Sequence, residues 1–183
     1  MIYTKGVSLC EEFVILLIEK EVHFMYDVLD VCRHIINYSN DKDYGISNLK
    51  LQKVLYFIQV WYWLKKEEPC FNESIEAWDF GPVVPEAYRE YKQFGAVDIP
   101  SIHSYIQFDN SDFWNSKRVE FKDDVIQPKD KRIIDQIVDD FSKYSASTLV
   151  RVTHNQTPWK DAYKKGRGTI ITKEAIRGYF IES

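Results

Sequence analysis

From Met25 onward, apolar residues recur at three- and four-residue intervals, the signature of helices that bury one face. Val28, Val31, Cys32, Ile35 and Ile36 mark the first, which the Asn- and Asp-rich stretch Asn40 to Gly45 ends. Ser47 or Asn48 can cap the second, where Leu51, Val54, Leu55, Ile58, Trp61 and Tyr62 repeat until Lys65 and Lys66 favour its C-terminal end. The aromatic residues of this helix, Tyr56, Phe57, Trp61, Tyr62 and Trp63, extend round more than one face. Such a helix is central and covered by a second layer, or else it exposes an aromatic surface; the central position is the expectation.

Shorter elements follow. Ile75 to Trp78 is β-prone, and Phe80, Gly81 and Pro82 make a turn. Pro85 suits the first turn of a helix carrying Glu86 to Phe94, with Gly95 at its C-cap, so that Pro82 to Pro85 forms a rigid elbow. Periodicity breaks down between Ala96 and Gln127, although Lys117 to Phe121 can be a strand, and a variable, partly ordered excursion is expected there. Pro128 opens a helix with Ile133, Ile134, Ile137, Val138 and Phe141 inward. Ser145 caps another through Val152, and Thr157 with Pro158 reads as an N-cap and first-turn pair for a helix ending near Lys165. A short strand, Thr169 to Ile171, and a helix capped by Thr172 close the chain. The fold class is mainly α, a compact single-domain helical bundle with a minor short β element, α+β being the alternative.

Residues 1–24 form an N-terminal extension distinct from the domain expected over 25–183. A signal peptide is a poor reading, because Glu11 and Glu12 precede the short apolar run and Glu19, Lys20 and Glu21 follow it. Two readings stay open. Phe13, Leu16, Leu17 and Lys20 have the spacing of an accessory helix packed on the domain. Alternatively, Lys20, Glu21 and Val22 can be encoded by a ribosome-binding sequence just upstream of Met25, making the extension a leader read in frame.

Composition narrows the function. The 183 residues hold 45% hydrophobic and 15% aromatic residues, enough to bury a continuous core without metal or disulfide support. A formal charge of −4 is unfavourable for gripping a phosphate backbone, so nucleic acid is a weak expectation as partner. The three cysteines, Cys10, Cys32 and Cys70, form no C-x-x-C pair, which fits a reduced, cytoplasmic protein without a zinc site. No apolar stretch approaches the roughly 18 residues of a membrane span.

Catalytic signatures are sparse. The four histidines, His23, His34, His103 and His154, lie in none of the local patterns that mark a nucleophilic site, and no phosphate-binding glycine loop is present. Gly166, Arg167 and Gly168 could hold an anion, yet they read more simply as a solvated connector. His154 reads as a capping or buried hydrogen-bonding residue. No catalytic, cofactor or metal residue is assigned.

Three ordered runs carry a resemblance: ISNLKLQKVLYFIQVW from Ile46 to Trp61, IEAWDFGPVVPEAYREYKQFG from Ile75 to Gly95, and YSASTLVRVTHNQTPWKDAY from Tyr144 to Tyr163. Together they resemble the Panacea domain, the family of phage-associated proteins that includes the SocA-like antitoxins. The likeness extends over nearly all of Met25 to Phe180, while Pro100 to Asp124 departs into its own sequence. It implies a small helical domain acting as the antitoxin of a toxin–antitoxin pair, often carried on prophages. The implied partner is a cognate protein toxin encoded by an adjacent gene, and some members are adaptors that hand the toxin to a protease. Around the elbow, Trp78, Phe80, Pro82, Tyr88, Arg89 and Tyr91 supply the aromatic and Arg anchors typical of protein interfaces and are the expected partner-binding residues. Singly, Trp78, Phe80 and Tyr88 can equally pack the elbow onto the core; as a cluster, partial exposure is expected. An enzyme with an unrecognised site near His154 and a nucleic-acid-binding regulator are the alternative readings.

Overall fold

The structure, a computed structural model, describes residues 25–107 and 116–181. The readings of residues 1–24 lie outside the described residues, as does the middle of the 96–127 excursion. Among the described residues there are seven α-helices: α1 (Val28–Asp41), α2 (Asn48–Lys65), α3 (Pro85–Tyr91), α4 (Pro128–Ser142), α5 (Ala146–His154), α6 (Thr157–Lys165) and α7 (Lys173–Ile181). The protein is mainly α with a minor β element. Strands β1 (Glu76–Trp78), β2 (Gly81–Val83) and β5 (Thr169–Ile170) form one antiparallel sheet, and β3 (Ser104–Gln107) pairs with β4 (Lys117–Glu120) in another.

Helix α2 is the axis of the molecule. Leu51, Leu55, Tyr56, Ile58 and Tyr62 are all fully buried, and Phe57, Trp61 and Trp63 are half-buried against the same core. Helices α1, α4, α5, α7 and strand β2 surround it, which explains why its apolar residues extend round more than one face. Its N-cap is Ser47, whose side chain accepts from the Lys50 N–H. Helix α1 begins at Asp27, whose carboxylate accepts from the Leu29 N–H at 2.7 Å. His34 of α1 bridges Asp123 and Asp135 at 2.6 and 2.7 Å, tying α1 to the entrance of α4 and to α4 itself.

Strand β1 lies between its two partners. Trp78 pairs with Gly81 on the β2 side and Ala77 with Thr169 on the β5 side. The turn between β1 and β2 is therefore Asp79 and Phe80, and β2 runs directly into Pro85 and α3.

Local expectations need three corrections. Thr157 lies inside α6 and does not cap it. Gln156 holds the cap position without a capping bond, because its side-chain oxygen accepts from the buried Tyr56 hydroxyl at 2.7 Å instead. The excursion after Ala96 is also better anchored than its broken periodicity suggests. Ile99 and Ile126 are fully buried. Asn37 of α1 exchanges two hydrogen bonds with the backbone of Ile102, at 2.9 and 2.6 Å, and Asn40 donates to the Ile99 carbonyl at 3.0 Å. Strand β4 falls inside the expected strand, but its partner β3 had no signal. Finally, α5 continues to His154, past Val152.

Leu55 and Ile58 have no exposed surface. Replacing either by Asp strips a carboxylate of its hydration with no partner to offset it, a cost of several kcal/mol and comparable with the roughly 5–15 kcal/mol that hold a domain folded. Circular dichroism melts of Leu55→Asp and Ile58→Asp are expected to show loss of the cooperative transition at room temperature; a melting point like the parent's would mean that this face of α2 is not the core.

Candidate partner-binding site

The site is built from a polar stripe on an otherwise buried helix. Asn48, Gln52 and Tyr56 stand four residues apart on α2, one above the other, with Lys53 beside them. Each is buried, and each serves backbone or side-chain groups that lie outside any ladder. Asn48 donates to the Tyr88 carbonyl at 3.1 Å, Gln52 accepts from the Val84 N–H at 2.9 Å and donates to Asn48 at 3.0 Å, and Lys53 donates to the Pro82 carbonyl at 2.9 Å. The elbow is thus fastened to α2 at two backbone points and the helix that follows it at a third.

Gly81 shows how close this approach is. Its φ of +97° suits glycine, and a Cβ there would lie 2.7 Å from Thr153 Oγ1 and 2.9 Å from Lys53 Nζ. Lys53 has no exposed surface, and burial pushes its ammonium down to about 7. Thr153 turns its hydroxyl back onto the Leu149 and Val150 carbonyls of its own helix.

Above this junction sits a layer of rings. Trp159 of α6 donates its indole N–H to the Trp78 carbonyl at 3.0 Å and is stacked between His154 and Tyr163, with centroids 3.9 and 4.9 Å away. Tyr163 donates to Asp79 at 2.7 Å, and Arg167 reaches the other Asp79 oxygen at 3.3 Å while lying 4.5 Å over the Trp78 ring. Trp78 meets Tyr88 edge to face at 5.0 Å. Between these rings and α3 opens a groove of about 430 Å³, lined chiefly by Leu49, Trp78, Val83, Tyr88, Lys92 and Arg167.

The expected anchors separate into two groups. Phe80 at the hairpin tip is 66% exposed and Tyr88 is 37% exposed, both on the groove, where Trp78 is half-buried. Arg89 is exposed but does not line the groove. Pro82 and Tyr91 must be corrected: both are buried, Pro82 because its carbonyl is held by Lys53, and Tyr91 because it turns into the core between α3 and α1. Their side chains support the surface from beneath. Arg167, set aside as part of a solvated connector, is brought to the groove because Gly166 and Gly168, with φ of +138° and +87°, fold that turn back, and Gly168 donates to the Ala77 carbonyl at 2.8 Å. Leu49 and Lys92 were also missed; paired glycines around one Arg were the available signal for Arg167, whereas Leu49 and Lys92 carried none.

His154 does not line the groove. Its Nε2 is buried and meets no hydrogen-bond partner among the described residues, and its imidazole is held below the usual range by burial and then by Lys53. A hydrogen bond between the ring and the Asp79 backbone acts in the opposite direction and holds the imidazole against the hairpin. Among the described residues there is no grouping of His, Cys, Asp and Glu that could hold a metal, and no helix is long and apolar enough to cross a membrane.

Residues 51–160 match the family model described as Antitoxin SocA-like, Panacea domain. The chain belongs to this family. It is 36% identical over 131 residues to a protein named Antitoxin SocA from Caulobacter vibrioides (strain NA1000 / CB15N), an alignment covering 69% of this chain and 64% of that protein. The chain thus spans a little less than two thirds of that relative's length. No solved structure matches it. The Panacea match encloses Lys53, Gly81, Pro82, Thr153 and Trp159, the residues of the junction, whereas Asn48, Tyr163 and Arg167 lie beyond its ends.

Lys53 makes the junction sensitive to pH in a fixed direction. An unfolded lysine holds its proton up to about 10.5, while folded Lys53 releases it near 7, so between these values the unfolded chain binds more protons. The contribution of Lys53 is therefore complete above about 10.5 and is lost as the pH falls through about 7. Urea melts of the parent are expected to show stability rising from pH 7 to 10, and Lys53→Met is expected to flatten that rise; parallel curves would show that Lys53 stays charged in the folded state.

Proposed function

We propose that this protein is an antitoxin that neutralises a cognate protein toxin by binding it directly, with the groove beside the elbow as the docking surface. Membership of the SocA-like family and the likeness to a protein named Antitoxin SocA support the antitoxin role. The observation that carries the docking site is the exposed ring set, Phe80, Tyr88 and Trp78, on a backbone pinned to the core at Tyr88, Val84 and Pro82. Rigid aromatic residues lose little conformational entropy on binding, and an immobile support adds no ordering cost. Nothing in this role requires chemistry. The toxin is expected to be the product of an adjacent gene.

Co-expression with the neighbouring open reading frame, followed by co-purification and a growth assay, tests the reading. The partner alone is expected to arrest growth and the pair to grow and co-elute; a neighbour that is harmless alone, or toxic but never co-eluting, contradicts it. Toxin half-life in the same cells separates masking, in which it is unchanged, from delivery to a protease, in which it shortens. Phe80→Ala and Tyr88→Ala should each weaken binding on the order of tenfold or more, since a central aromatic anchor is worth about 2 kcal/mol. Titration calorimetry measures the loss, with circular dichroism showing that both variants keep the parent fold.

A further inference from the structure

The charges around the groove do not follow the net charge of the chain. Three charged residues line it: Asp79, Lys92 and Arg167. Asp79 is already engaged on both oxygens, by the Tyr163 hydroxyl and by Arg167. Arg167 turns its Nε toward that pair and keeps four further N–H donors on an exposed guanidinium that lies over the Trp78 ring. Lys92 is exposed at the end of α3, and its ammonium has no ion pair or hydrogen bond among the described residues. The acidic residues of α3, Glu86 and Glu90, do not line the groove. The groove therefore pairs an apolar floor, Leu49 and Val83 with the Trp78 and Tyr88 rings, with a rim of net positive charge, because Asp79 is matched by Arg167 and Lys92 has no counter-charge among the described residues.

We infer that the groove recognises a segment of the partner protein in which an apolar side chain stands next to a carboxylate. The apolar side chain enters between Trp78, Val83 and Tyr88, and the carboxylate meets Lys92 and the outward donors of Arg167. Planar guanidinium donors suit a carboxylate, because the fork of N–H groups matches its two oxygens. The volume of about 430 Å³ falls in the range of pockets that take small ligands, enough for an apolar side chain and part of its neighbours. Val97, 65% exposed and next to the groove-lining Ala96, extends the apolar surface at the Lys92 end. This inference rests on the docking surface proposed above and adds the chemistry of what docks there.

The test has an arm that needs no toxin. The purified full chain is panned against a displayed library of random 12-residue peptides, and selected peptides are measured by fluorescence anisotropy. Enrichment of an aliphatic or aromatic residue adjacent to Asp or Glu is expected. Affinity should fall as salt is raised, and by about tenfold in Lys92→Glu while Lys92→Arg stays near the parent, as for a partly screened charge pair turned repulsive. Lys92 is exposed, so both variants should fold, and circular dichroism checks this. Selected peptides without acidic residues, or affinity indifferent to Lys92→Glu, overturn the inference. So does a single-stranded oligonucleotide that displaces the peptides with equal affinity, because the rim would then be reading phosphate. The toxin arm keeps the two proposals apart. If a toxin binds the parent and Lys92→Glu binds it equally well, the carboxylate chemistry is wrong while the antitoxin reading stands; if acidic–apolar peptides bind the groove and no neighbouring gene product does, the chemistry stands and the antitoxin reading falls.

Discussion

Lys53 carries its amino group into the centre of the molecule, where the Pro82 carbonyl accepts from it at 2.9 Å. That contact draws the elbow down onto α2 until residue 81 has no room for a side chain, and glycine there turns the chain with φ of +97°. From this point the rest follows. The hairpin tip is lifted so that Phe80 faces solvent, Pro85 starts α3 in the direction that places Tyr88 and Lys92 along one wall, and Trp78 is left with its carbonyl toward Trp159. A buried lysine is costly, and an elbow whose buried carbonyl lacked a donor would be costly as well; each offsets the other.

The three sequence runs that carry the family likeness therefore mark one physical object. Residues from the first supply the polar stripe, those from the second supply the backbone it holds, and those from the third supply Thr153 against Gly81 and Trp159 against Trp78. Arg167 and Asn48 stand outside the family match yet complete the groove, one as part of its wall and the other as a tie to α3.

How much of this was legible follows from the range of each interaction. The helical spacing of Leu51, Val54, Leu55 and Ile58 is a local pattern, and the helix it implied is the buried axis. The turn at Phe80 to Pro82 and the proline start of α3 are local too. Lys53, by contrast, occupies a position that an exposed lysine would fill equally well, and only Pro82 and Gly81, nearly thirty residues away, reveal its burial. Arg167 reaches Asp79 and Trp78 across a gap in sequence about three times longer and a β ladder of two residues. Asn37 and Asn40 look like the frayed end of a helix and are instead the anchors of the Ile99 to Ile102 backbone. Pro82 and Tyr91 were assigned to a surface as members of the elbow cluster, but the Lys53 contact decides the burial of Pro82 and the packing of α3 on α1 that of Tyr91.

The claim that most needs testing is that partners dock on the groove between the hairpin tip and α3. Hydrogen exchange of the chain, free and saturated with its co-purified toxin, reads this directly, because an occupied groove slows the amides around it. Slowed exchange is predicted for Phe80, for Tyr88 to Ala96 and for the turn at Arg167, with α1 and α4 unchanged on their outer faces. Protection confined to α1, α4 or the β3–β4 hairpin, with the groove exchanging as in the free protein, would contradict the account.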